Sequence, residues 1–203
     1  MSLTAWRICK KSHSKTAFDG EGARRFGGRW NNPGTTVVYV AESQSLAALE
    51  MLVHLHSADL LGKYVLIPVE IEESLIVEVN RSQLSKNWRS DPAPAAAKNI
   101  GDDWVQSATS VALRVPSTLV PDESNFLLNP KHQDFSKLRM GEPVGFQFDG
   151  RLRSGGVGAD KEQIPPAGRN DKGYSLTNNP TGKSLKTSAT ATNPSRSSIV
   201  FPP

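Results

Sequence analysis

Between Gly20 and His56 the chain reads GEGARRFGGRWNNPGTTVVYVAESQSLAALEMLVHLH. Arg24, Arg25 and Arg29 lie in a segment with five glycines, Tyr39 in a β-branched run, and Glu50 among leucines, alanines and a valine. Arginine's planar fork donates two parallel hydrogen bonds to a phosphate. Glycine-rich backbone can turn successive amides toward an anion. A carboxylate on an apolar segment must find partners or protonate, because desolvating a lone ion costs several kcal/mol. Cations, an aromatic ring and then an acid suit an anionic, ring-bearing ligand such as a nucleotide. The same residues also fit an ordinary surface loop with solvated arginines and a core tyrosine with its hydroxyl bonded. Neither a P-loop nor a GxGxxG fingerprint occurs in this segment.

These side chains need elements to position them. Gly20–Gly34, which also contains Pro33, predicts a segment holding no regular helix or strand. Thr35–Ala41 predicts a strand with Val38 and Val40 on one face and Val37, Tyr39 and Ala41 on the other. Ser43 suits an N-cap for a helix over 45–57. That helix is apolar almost all round, so burial on most sides is expected. Glu50 and His54, four apart, form its polar strip. Arg29 or a ligand hydroxyl is the expected partner of the carboxylate; a strip facing water is the alternative. His54 and His56 fall on different helix faces without an HExxH or cysteine ligand, so no metal is expected.

Further strands are predicted at Ala5–Cys9, Tyr64–Ile71, Leu75–Val79, Ser110–Val115, Asn125–Asn129 and Gly145–Asp149. A short helix should include Trp104. Pro68 marks its strand as an edge or a bulge. Irregularly spaced strands around one long buried helix predict an α+β fold with a mixed, largely antiparallel sheet.

Composition bounds the rest. The chain has 203 residues, 37% of them hydrophobic, and the apolar shortfall falls after Leu152. Residues 1–152 read as one domain, and 153–203 as a low-complexity tail expected to be disordered, since it has too little apolar surface to offset ordering entropy. The net charge is +4, and residues 151–203 hold eight Lys or Arg against three Asp or Glu. The basic balance thus belongs to the tail and does not point to nucleic-acid binding by the domain. A single cysteine, Cys9, excludes an internal disulfide. No leader pattern and no apolar run of about 18 residues is present, so a cytoplasmic protein is expected.

The blocks GEGARRFGGRWNNPGTTVVYVAES, LAALEMLVHL, WRSDP, SVALRVPS and NFLLNP resemble RES-domain toxins of bacterial toxin–antitoxin pairs. The resemblance runs from Trp6 to Leu152 and leaves the tail outside. It implies an ADP-ribosyltransferase-like fold, with NAD+ as substrate and no separate cofactor. Cleavage would proceed by hydrolysis or phosphorolysis; mono-ADP-ribosylation of a protein is the alternative. It also implies an Xre-type helix-turn-helix antitoxin as inhibitor, with DNA contacted only through that partner. The family's Arg, Glu and Ser fall on Arg29, Glu50 and Ser117, and its active-site tyrosine on Tyr39. Arg29 would then hold the pyrophosphate, with support from Arg24 or Arg25, and Tyr39 would stack on the nicotinamide. Glu50 would stabilise the oxocarbenium-like ribose, and Ser117 would hydrogen-bond the nicotinamide ribose or amide. Homodimerisation and the choice among water, phosphate and protein as acceptor stay open.

Overall fold

Among the described residues, the longest pairing is between β1 (Ser2–Lys10) and β3 (Tyr64–Glu72), antiparallel over nine residue pairs. The computed structural model describes residues 1–55 and 63–155, with side chains to 152. His56 and Ser57, the expected end of the apolar helix, and residues 156–203 of the expected tail lie outside them. The sheet is completed by β2 (Val38–Ala41), β4 (Ile76–Glu78), β5 (Ala112–Pro116), β6 (Ser124–Leu128), β7 (Arg139–Met140) and β8 (Val144–Phe146). Strand order is β4-β5-β6-β2-β1-β3-β7, with β8 also on β3. Of these pairings only β4–β5 is parallel. Among the described residues the α-helices are α1 (Glu21–Phe26), α2 (Gln44–Leu52) and α3 (Ala95–Ser107). The fold is therefore α+β with a mixed, largely antiparallel sheet.

The sheet opens where β1 meets β2, because Trp6–Ala41 is the register pair between them. Arg7 bridges the gap with its side chain. Its Nη1 donates to the Tyr39 carbonyl at 3.1 Å and its Nε to the Ala17 carbonyl at 3.3 Å. Burial pulls this guanidinium below its usual value, opposed by Cys9 and Asp19. It stays charged all the same, since arginine starts so high.

The predicted alternation of β2 holds. Val38 and Val40 pack with Ala5, Val69, Ile71, Phe126 and Leu128. Val37 and Tyr39 instead join Trp30, Trp104, Leu113 and Leu127 beneath α3. Ala41 joins Ile8, Tyr64, Leu66, Leu46 and Ala47 beneath α2. Leu46 alone, 1% exposed, contributes about 1.5–3 kcal/mol by burial.

Three expectations are corrected here. Gly20–Gly34 does hold a short helix, α1, which Gly20 and Gly27 bracket and in which Gly22 is the one glycine. Gly20 and Gly27 take φ of 70° and 71° at its two ends. Asp19 Oδ1 accepts the Glu21 amide at 2.8 Å, and Arg24 clasps Glu21 with two 2.7 Å bonds. Helix α2 is also less buried than its composition suggests. Leu46 and Ala47 are its fully buried residues, while Leu49 is 37% and the following Val53 53% exposed. Pro68, finally, is not at an edge. Its strand pairs β1 on one side, with β8 and β7 on the other. β8 pairs Tyr64–Leu66 and β7 pairs Val69–Glu70, so the proline nitrogen falls in the space between them, where no donor is needed.

Candidate active site

Strand register brings candidate side chains to one end of the sheet. Antiparallel β6 lies between β5 and β2, so its first residues stand beside the last residues of both neighbours. Asn125 pairs with Ala41 of β2 and with Val115 of β5. Two residues past Ala41, Ser43 caps α2 by accepting the Leu46 amide at 3.0 Å. The Ser43 hydroxyl also donates to Glu123 at 3.0 Å. Two residues past Val115 comes Ser117, whose amide bonds the Glu123 carbonyl at 3.0 Å.

Glu50 on α2 reaches across this junction. Its Oε1 accepts from Ser117 Oγ at 2.9 Å and from Asn125 Nδ2 at 2.6 Å. Oε2 accepts no hydrogen bond among the described residues. Ser117 is fully buried, and its hydroxyl oxygen accepts the amides of Leu119 and Val120 at 3.1 and 3.2 Å. The one donor and both acceptor positions of that hydroxyl are therefore used within the chain. The expected Glu50–Arg29 ion pair is not made; the carboxylate's partners are the serine and the asparagine.

Arg29 is held by a different set of bonds. Its Nη1 donates to the carbonyls of Trp88 and Ser90 at 3.0 and 2.9 Å. Among the described residues its Nη2 and Nε make no hydrogen bond, which leaves part of the fork for a ligand. The 88–90 segment is tied on its far side as well. Arg89 Nη2 donates to the Thr118 carbonyl at 2.7 Å, next to Ser117. The Trp88 ring also lies 5.8 Å from that of Trp30. A strap of backbone thus links the arginine loop to the serine turn.

Tyr39 supports the arginine loop from below. Its hydroxyl donates to Asn31 Oδ1 at 2.8 Å and accepts the Trp30 amide at 3.1 Å. Gly28 packs directly on that hydroxyl, with no room for a Cβ. The space expected around the Tyr39 ring is therefore partly filled by its own loop. Asn31, fully buried, donates to the carbonyls of Ala23, Asn32 and Thr35. Asp102 of α3 grips the Asn32 amide at 3.0 Å and its side chain at 2.7 Å.

Burial pushes the Tyr39 hydroxyl well above its usual value. The Trp30 amide opposes this, Asp102 adds to it, Arg29 opposes it, and Glu50 adds to it. Partial burial lowers His54, one turn beyond Glu50, while Glu50 and Asp91 pull it up and Arg29 pushes it down. Both side chains thus feel Arg29 and Glu50 together. Arg24 is committed to Glu21 on the outer side of α1, and Arg25 lies over the exposed Phe26 ring at 5.4 Å.

Sequence reasoning missed Asn125, the arginine strap and Asn31. Asn125 had a signal. Strand alternation puts it on the same face as Leu127, where an unpartnered amide would be costly. Among the described residues, no group of three or more His, Cys, Asp or Glu is placed to hold a metal ion. No helix among them is long and apolar enough to cross a membrane.

Arg29 is bonded to the 88–90 segment, and that segment is bonded to the turn that holds Glu50 through Ser117. A match to the RES domain spans residues 4–149, and the chain belongs to that family. It is 44% identical to "Toxin Res" of Yersinia enterocolitica over 152 residues, covering 74% of this chain and all of that one. It is 35% identical to a "Prs ADP-ribosylating toxin" of Sphingobium sp., covering 75% of this chain and 98% of that protein. Its fold is similar to a chain in the crystal structure of the M. tuberculosis MbcT–MbcA toxin–antitoxin complex. There the TM-score is 0.62 at 19% identity, over 76% of this chain and 88% of that one.

Proposed function

We propose that this protein is a toxin enzyme that cleaves the nicotinamide–ribose bond of NAD+, by hydrolysis or phosphorolysis. The observation that carries the reading is the Glu50 carboxylate, held through Oε1 by Ser117 and Asn125 and, among the described residues, without a bond at Oε2. Leaving of neutral nicotinamide builds positive charge on the ribose. A carboxylate already fixed beside that ribose stabilises the charge without reorganising during the step. Arg29 binds the pyrophosphate through Nη2 and Nε, with Arg25 and Arg24 as secondary contacts; Arg24 would first have to leave Glu21. Tyr39 holds the loop and offers its ring face to the nicotinamide. Water or phosphate attacks the anomeric carbon as the C–N bond breaks, and the proton released on attack passes to solvent. NAD+ is a substrate here, and no resident cofactor is invoked.

A second reading has a specific support, the Sphingobium relative named as an ADP-ribosylating toxin. In that case a protein side chain replaces water as the acceptor. An antitoxin partner is proposed from the similarity to a chain of a toxin–antitoxin complex. From the resemblance, it would be of the Xre helix-turn-helix type, the cytoplasm would be the site of action, and DNA would be reached only through the antitoxin. A homodimer is compatible with either reading. The test is to incubate purified protein with adenine-labelled NAD+, with and without phosphate and with cell lysate. Free ADP-ribose or its 1-phosphate supports cleavage, label retained on protein supports the second reading, and intact NAD+ in every arm overturns both.

A further inference from the structure

We infer that Asn125 is a positioning residue for Glu50, fixing which carboxylate oxygen meets the substrate; the inference rests on the reading above. Ser117 and Asn125 both donate to the same oxygen, Oε1. The Asn125 bond is the shorter, at 2.6 Å, in keeping with a charge-assisted bond. Two donors on one oxygen fix the carboxylate's rotation about its last side-chain bond, a torsion that is otherwise broad. They also leave Oε2 as the oxygen available to the ribose. Asn125 is well suited to hold this geometry, because its backbone is locked on both sides by β2 and β5. Ser117 belongs to a turn and depends on the Leu119 and Val120 amides for its own orientation. Asn125 acts through Glu50, so removing it should lower kcat while substrate affinity is kept.

The test compares Asn125→Asp with Asn125→Ala at neutral pH, measuring NAD+ consumption and thermal melting of each purified variant. Aspartate keeps the shape of asparagine but replaces the donor with a second negative charge facing Oε1. Alanine removes the donor and the bulk. If Asn125 only filled space, serine would be no better than alanine, since neither restores its bulk. The positioning role predicts kcat reduced about 10-fold to 100-fold in alanine, less in serine and further in aspartate, with KM changed by less than about threefold. Asn125→Ser, which keeps a donor on a shorter arm, should fall between wild type and alanine, and serves as the second comparison if aspartate does not fold. Aspartate at least as active as alanine, serine no better than alanine, or a loss confined to KM would overturn the role. Wild-type protein that leaves NAD+ intact would instead overturn the underlying reading of function.

Discussion

Replacing Ser117 with alanine tests how far the site and the fold depend on one another. The hydroxyl makes three bonds at a position with 0% exposure: one donated to Glu50, and two accepted from Leu119 and Val120. A bond to an ionised carboxylate is worth about 1.5–3 kcal/mol and each neutral amide bond about 1 kcal/mol. Their sum, about 3–5 kcal/mol, is an upper bound, because water can reach the partly buried Thr118–Val120 turn and re-solvate the amides. At about 2–4 °C per kcal/mol for a domain of this size, the melting temperature should fall by up to roughly 6–20 °C. Turnover should also fall, by about tenfold or more, because Glu50 loses one of its two donors. The assay is a calorimetric melt of wild type and Ser117→Ala, with NAD+ loss followed on the same samples. A melt within about 2 °C of wild type would refute the three-bond accounting. A large melting shift with full turnover would show that the serine supports the turn but not the carboxylate.

Two other substitutions read the arginine loop. Arg29→Lys keeps the charge but loses the fork that spans the Trp88 and Ser90 carbonyls while leaving Nη2 and Nε for phosphate. NAD+ affinity by calorimetry should drop about tenfold or more, and equal affinity would rule out phosphate contact through this side chain. Tyr39→Phe keeps the ring and removes the bonds to Asn31 and Trp30. It should cost about 1–3 kcal/mol in a denaturant titration and raise KM more than it lowers kcat. An unchanged unfolding midpoint would show that the hydroxyl does not hold the loop.

Much of this was legible in the sequence where one rule acted alone. The β2 alternation and the Ser43 cap follow from local preference, and both stand in the structure. The sheet's largely antiparallel character likewise followed from strand spacing. Bounds were less legible: β1 extends beyond Ala5–Cys9 at both ends, and β7 carried no recognisable apolar signal. Helix α1 was hidden because a count of glycines does not say whether they interrupt a helix or end it. The partners of Glu50 were hidden for a different reason. Ser117 and Asn125 are 67 and 75 residues from Glu50 in sequence, and only strand register brings them together. The Arg29 strap is likewise a tertiary contact, spanning 59 and 61 residues to backbone carbonyls that leave no mark on side-chain chemistry.

The central claim is that the Glu50 carboxylate stabilises the cation formed as nicotinamide leaves. Glu50→Gln tests it most directly, because the glutamine carbonyl can still accept from Ser117 and Asn125 while the negative charge is gone. Measured as the initial rate of NAD+ loss with purified, melt-matched protein, the variant should be about 100-fold slower or more. A rate equal to that of wild type would contradict the claim.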